Sequence, residues 1–131
     1  MIEKLLDRIE TPCFVVDKAL LRKNLAVLDS VRKRAGVRIL LAQKAFSLYA
    51  VYPLLAQVLD GTCASSPHEA RLGREEFGKE VTAFAAAYSE TDLRELLSLC
   101  DHVIFNSLSQ WDRFRPLTEK ASHCERELKI T

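Results

Sequence analysis

The chain has 131 residues, 48% hydrophobic and 28% charged, with 19 basic and 18 acidic side chains giving a formal charge of +1. That is the composition of one ordinary globular domain, and so even a balance supplies no attraction for nucleic acid or an anionic membrane surface. No apolar run approaches the roughly 20 residues of a membrane-spanning helix, and MIEKLLDRIE at the start is charged throughout, without the apolar core of a signal peptide; the expected location is the cytoplasm.

In chain order, residues 13–16 (CFVV) read as a short strand. Residues 18–34 place apolar side chains at 20, 21, 25, 28 and 31, the spacing of one helical face, with Asp17 to cap the start and Gly36 to stop the end. Residues 37–42 (VRILLA) form a strand that runs directly into Gln43 and Lys44. A helix over 48–59 leads to Gly61, then come a strand at 62–65 (TCAS) and a helix at 67–77. A strand at 80–86 (EVTAFAA), a helix at 90–99, a strand at 102–106 (HVIFN) and a helix at 108–120 follow, and ELKIT at 127–131 begins one more strand.

Three strand-to-helix turns share one chemistry. Ser66-Pro67-His68-Glu69 has serine at the N-cap, proline at the first helical position and glutamate at the third, a capping box in which the two polar side chains satisfy backbone donors reciprocally. Ser89 to Asp92 and Ser107 to Gln110 repeat the form with aspartate and glutamine.

Strand starts near 37, 62, 80, 102 and 127 are the intervals of βα units with short loops. Repeated βα units give a parallel sheet with right-handed crossovers, closed either as an open doubly wound sheet or as a (β/α)8 barrel. The turn after the first of these strands is QKAFS and not GxGxxG, which counts against the dinucleotide-binding version. Five such strands make a little over half of a barrel that takes roughly 250 residues. The expectation is therefore an α/β fragment of about five strands plus a lead-in strand, part of an open sheet or of a (β/α)8 barrel, and either a truncated chain, a truncated gene or one piece of a longer enzyme.

Functional groups in such a fold collect at the C-terminal ends of the strands. The candidates there are Gln43 and Lys44, Ser65 and Ser66, Tyr88, and Asn106 with Ser107. Lys44 stands out, because a lysine in a partly desolvated pocket loses its proton more readily and becomes a nucleophile toward an aldehyde. The ordinary alternative is a lysine whose stem packs on the strand while its ammonium reaches water. Ser66 and Ser107 read as helix caps, Tyr88 as either a pocket lid or a packed aromatic, and Asn106 as either a ligand contact or the end of its strand. His68 falls at the second position of a helix, His102 opens a strand at the end opposite the expected site, and His123 lies in a polar stretch. The three histidines have no metal spacing, and no serine–histidine–acid triad is legible. Cys13, Cys63, Cys100 and Cys124 form no CxxC pair, and the first three, in apolar or strand-like contexts, read as small buried hydrophobes with free thiols.

TPCFVVD, ILLAQKAFS, GTCASSPHEARLGREEFGKE and DHVIFNSLSQWDRF, in this order from about Thr11 to Phe114, resemble the carboxynorspermidine/carboxyspermidine decarboxylases, fold-type III enzymes of the alanine racemase-like group that use pyridoxal 5′-phosphate (PLP). The SSPHEARLG and FNSLSQ segments carry most of that resemblance. It implies an N-terminal (β/α)8 barrel followed by a β domain, with residues 1–17 supplying a lead-in strand of the β domain and 18–131 the first half of the barrel. Lys44 would carry PLP through a Schiff base, with Ser65, Ser66, Tyr88 and Asn106 lining the cofactor pocket. The Cα–carboxylate bond of a polyamine-type amino acid would break to give norspermidine or spermidine. The longer parent is expected to be a homodimer needing no metal, nucleic acid or membrane. The phosphate clamp, the acidic partner of the pyridine nitrogen and the residues for the polyamine tail are expected beyond Thr131, so the 131 residues alone should show little activity. The second barrel strand, GTCAS, also lacks a carboxylate that related decarboxylases often carry there. Two alternatives stand beside this reading: another fold-type III decarboxylase of the diaminopimelate or ornithine type, and a non-catalytic half-barrel remnant.

Overall fold

A computed structural model describes residues 9–121 together with the paired backbone of Lys129 and Ile130. Helix α1 spans Lys18–Ala35. The Asp17 carboxylate accepts the Ala19 and Leu20 N–H groups at 2.8 and 3.1 Å, satisfying donors that a first helical turn leaves open. Gly36 ends the helix in the left-handed region at φ 63°, where a residue with a Cβ is disfavoured. The apolar spacing expected of this helix is present, but its burial is narrower than the pattern implied. Leu25 is buried, while Leu20, Leu28 and Val31 remain 55%, 38% and 46% exposed. The following strand is at the edge of the sheet, so α1 packs along only one flank among the described residues.

Strand β1 is Leu40–Ala42, shorter than the expected 37–42, because only these residues find partners, at Gly61, Thr62 and Cys63. A 3₁₀ turn at Tyr49–Val51 leads into a short helix α2, Tyr52–Leu55, in place of one continuous helix over 48–59. Pro53 in its first turn is compatible with a helix start and incompatible with an interior. Strand β2 is Gly61–Ala64, and helix α3 is Pro67–Leu72. A π turn, Gly73–Phe77, extends α3 to Gly78, whose N–H reaches the Gly73 carbonyl at 3.2 Å. Then follow β3 (Glu80–Phe84), α4 (Glu90–Leu99), β4 (His102–Ile104), α5 (Leu108–Ala121) and β5 (Lys129–Ile130). Strands β3 and β4 stop short of 86 and 106 because their pairing ends together at Phe84 and Ile104. Of ELKIT, only Lys129 and Ile130 lie within the described residues.

All pairings are parallel, in the sequential order β1-β2-β3-β4-β5. One face of the sheet meets the helices. Val81, Ala83, Val103 and Ala64 pack there with Leu93, Leu96 and Phe114, and a second cluster joins Leu25, Tyr52, Leu55 and Phe77, with Ile39 and Leu41 against it. Strand alternation sends Leu40, Ala42, Cys63, Thr82, Phe84 and Ile104 to the other face, which no described helix covers. No described helix is long and apolar enough to cross a membrane.

The segment 13–16, expected as a strand, pairs with nothing among the described residues, and Phe14 is 97% exposed. A strand requires a partner for its backbone groups, and no described strand lies beside it. The capping serines behave as expected: Ser66, Ser89 and Ser107 accept the N–H groups of Glu69, Asp92 and Gln110 at 3.3, 3.1 and 3.2 Å. The return half of the box differs. The Glu69 carboxylate accepts the N–H of Ser65 at 2.6 Å, and the Gln110 amide donates to the Ala86 carbonyl at 3.2 Å.

Candidate active site

At the C-terminal end of β1 two adjacent residues part to opposite faces. Gln43 turns into the helix layer and is 1% exposed, while Lys44 is exposed on the face without helices. The turn that carries them is closed by backbone bonds: Gln43 N–H donates to the Cys63 carbonyl at 3.1 Å, and the Ala45 and Phe46 N–H groups both donate to the Ala42 carbonyl, at 3.0 and 3.2 Å. Beneath the turn, Gln43 Nε2 donates to Tyr52 Oη at 3.3 Å. Gln43 Oε1 and Thr62 Oγ1 are buried without partners.

Lys44 Nζ stands 6.0 Å from the centre of the Phe84 ring, at the outer limit of a cation–π contact. It makes no salt bridge with any described carboxylate. Cys63, on the same face, is half-buried. Burial pushes its thiol above the ordinary value; the Lys44 charge pulls the other way and the Glu69 charge adds to the rise. The strand ends thus gather an ammonium, a neutral thiol, an aromatic ring and, at the start of α3, a carboxylate. A lysine amine in its neutral form attacks carbonyl carbon.

Of the residues singled out from sequence, Lys44 occupies this position and Ser65 lies half-buried just past the end of β2. Ser66 is engaged as the cap of α3. Asn106 is exposed, two residues past β4. Tyr88 takes the packed alternative: it is 7% exposed, donates to the Ile104 carbonyl at 2.9 Å, accepts the Ala85 N–H at 3.1 Å and meets Phe105 edge-on at 5.8 Å. Once the strand has ended, alternation no longer fixes which way a side chain points, and this ring found apolar neighbours on the helix side. Gln43, a strand-end candidate, is buried on the helix side; Glu69 and Phe84 were not singled out for chemistry. Only the two-residue alternation through Phe84 and Lys44's place two residues past β1 carried a signal for that pair.

The remaining titratable groups lie elsewhere. His102 sits at the opposite end of the sheet, 3.4 Å from Glu80, which also binds Arg38 and accepts from Thr82. His68 is exposed. Cys100 is buried, whereas Cys13 is exposed because the segment carrying it has no partner; Cys124 and His123 lie outside the described residues. Two depressions of about 240 and 350 Å³ lie on the outer surface between α4 and α5, lined by Arg94, Leu117 and Lys120 in common and by no strand-end residue.

No protein-family model matches the chain. It is 43% identical over 106 residues to the carboxynorspermidine/carboxyspermidine decarboxylase of Herminiimonas arsenicoxydans, covering 81% of this chain and 29% of that protein. It is 44% identical over 110 residues to the carboxyaminopropylagmatine decarboxylase of Synechocystis, covering 84% of this chain and 28% of that protein. The carboxynorspermidine/carboxyspermidine decarboxylase of Campylobacter jejuni is 34% identical over 116 residues, 88% of this chain and 30% of that protein. Among solved structures, carboxynorspermidine decarboxylase from Campylobacter jejuni, complexed with norspermidine, superposes with a TM-score of 0.82 at 30% identity, covering 93% of this chain and 31% of that one. The chain therefore spans less than a third of the length of each of these relatives. The sequence resemblance is borne out over most of this chain, and its fold is the N-terminal part of a (β/α)8-type barrel.

Proposed function

We propose that this relative of the carboxynorspermidine/carboxyspermidine decarboxylases, corresponding to the N-terminal part of their barrel, carries the cofactor lysine of a PLP-dependent decarboxylation in polyamine biosynthesis. The observation that carries the reading is Lys44: an amine at a strand C-terminus, on the face without helices, unpaired among the described residues and held over an aromatic ring. That donor set fits an aldehyde-bearing, planar cofactor. Bound there, PLP supplies the electron sink that takes the pair released when the Cα–carboxylate bond breaks.

Lys44 would hold the cofactor through its aldehyde and, once released, can move a proton at Nζ. Phe84 supplies an apolar surface beside it, and the half-buried Cys63 and Ser65 are the nearest candidates to line the pocket. Glu69 fixes the β2–α3 loop at the pocket edge through the Ser65 N–H. Ser66 serves that loop as a cap, and Asn106 is retained as an exposed contact for a ligand reaching the mouth of the sheet.

The substrate class proposed is an α-amino acid whose side chain continues into a polyamine chain. Carboxynorspermidine and carboxyspermidine lead, and the Synechocystis relative at 44% identity adds carboxyaminopropylagmatine to the same class. Decarboxylation is assigned to the complete barrel of a longer, homodimeric parent, with the 131 residues alone turning over little substrate.

The test is borohydride reduction of the chain with PLP, followed by digestion and mass spectrometry. Phosphopyridoxyl label concentrated on Lys44, and lost in Lys44→Ala without moving to other lysines, is the expected result. Label spread evenly over the lysines would sink the assignment of this site and favour the non-catalytic reading.

A further inference from the structure

We propose that Gln43 is the positioning residue for Lys44, acting through Tyr52; the inference rests on Lys44 being the cofactor lysine. Gln43 is an odd residue for its place. It is 1% exposed, yet its amide makes one side-chain hydrogen bond, at 3.3 Å, and leaves its other end without a partner. Turning the amide over would exchange the two ends and still leave one orphaned. Thr62 Oγ1, also fully buried, is a second orphan in the same layer. Burying polar atoms without partners destabilises a fold, and an apolar side chain of equal volume would avoid that. Stability therefore does not account for glutamine here.

Direction does. Gln43 and Lys44 are consecutive in the turn that ends β1, the first buried in the helix layer and the second over Phe84 on the other face, so holding the first limits the rotation that aims the second. The Gln43 amide ties the end of β1 to Tyr52, which is 0% exposed and braced edge-on against Phe77 at 5.3 Å. The backbone bonds of the turn fix its shape, and the Gln43–Tyr52 bond fixes its rotation about the strand axis. With that bond in place, Lys44 is committed to the face that holds Phe84 and Cys63. A methionine at 43 would fill the space without specifying the rotation, and the lysine stem would spread over more orientations. Misplacement of a reacting group by about 1 Å costs up to roughly a hundredfold in rate, so a looser turn should be visible in the reaction of Nζ.

The experiment compares the parent chain with Gln43→Met and Tyr52→Phe. Each is incubated with PLP and borohydride, the rate of labelling at Lys44 is expressed relative to the other lysines, and the melting temperature is recorded alongside. The expected outcome is a selectivity for Lys44 roughly tenfold lower in both variants, with the Gln43→Met melting temperature unchanged or raised. Parental selectivity retained in both variants overturns the positioning role while leaving the Lys44 assignment standing. A lowered melting temperature with unchanged selectivity in the folded protein also overturns it, since that is the mark of a structural role alone. Indiscriminate labelling in the parent overturns both readings together.

Discussion

Asp101 and Val81 exchange a closed pair of hydrogen bonds: the Asp101 N–H donates to the Val81 carbonyl and the Val81 N–H to the Asp101 carboxylate, each at 2.8 Å. Asp60 and Ile39 repeat the exchange at 2.9 and 2.9 Å. Both aspartates sit one residue before an even-numbered strand and close the ladder below it, and each is held by an arginine, Arg74 at 2.8 Å and Arg32 at 3.0 Å. Replacing Asp101 by alanine strands the Val81 N–H and removes the ion-pair partner of Arg74, which keeps its bonds to the Leu99 carbonyl. Urea unfolding should show a loss of about 1–3 kcal/mol, the cost of an unmade buried hydrogen bond. Asp101→Asn, whose amide oxygen still accepts from Val81, should lose less; equal losses would mean the ion pair with Arg74 carries the effect.

Gly73 opens the π turn against β2. A Cβ on it would lie well under 3.0 Å from Thr62 Oγ1 and 3.3 Å from Gln43 Oε1. Gly73→Ala should destabilise the chain by about 1–3 kcal/mol, as overpacking does. Adding Thr62→Ala removes the colliding oxygen, so the double variant should recover part of that loss. Strictly additive losses would show that the alanine is accommodated in some other way.

Cys63 should react slowly with iodoacetamide at neutral pH, because burial holds its thiol neutral beyond the ordinary range. Lys44 favours the thiolate and Glu69 opposes it. Lys44→Met should therefore move the pH midpoint of Cys63 alkylation upward and Glu69→Gln should move it downward. A midpoint indifferent to both substitutions would show that neither charge reaches the thiol.

Burial pushes the Cys100 thiol and the Tyr88 phenol up to about 12, from ordinary values of 9.0 and 10.0. Between the ordinary and the raised value, the unfolded chain has released the proton and the folded chain retains it. Stability from each group is thus complete below its ordinary value and is lost as pH rises toward about 12. Each group contributes a slope of up to about 1.4 kcal/mol per pH unit. Cys100→Ala should flatten the decline that begins near pH 9.0; an unchanged slope would place the alkaline loss elsewhere.

What the sequence made legible was what neighbouring residues decide. Asp17, Gly36 and the serines at 66, 89 and 107 fixed helix ends because a cap and its donors lie within three residues of one another. Lys44 was legible because a parallel strand points its C-terminal residues at the site. Its aromatic companion was not, since Phe84 reaches Lys44 across two strand pairings from far along the chain. Glu69 was visible only as half of a capping box, and the choice of Ser65 over Ser66 as its donor depends on the β2–α3 loop as folded. The orphaned pair at Gln43 and Thr62 had no signature either, because burial of a polar side chain is decided by what packs over it. The helix expected over 48–59 is a 3₁₀ turn and a four-residue helix with Pro53 in its first turn.

The sequential strand order also says how such a sheet can be built. Each strand pairs with the one made just before it, so no later segment has to insert between two that are already joined. From β1 to β4 each pairing closes a short loop, and such loops are cheap in chain entropy. A nascent chain emerging at its synthesis rate could therefore lay down β1, β2, β3 and β4 one after another, with each βα unit docking on a template that already exists. The lysine turn, which ends the first strand of this sheet, would then be set early, when β2 supplies the Cys63 carbonyl and the Gly73 turn closes over Gln43.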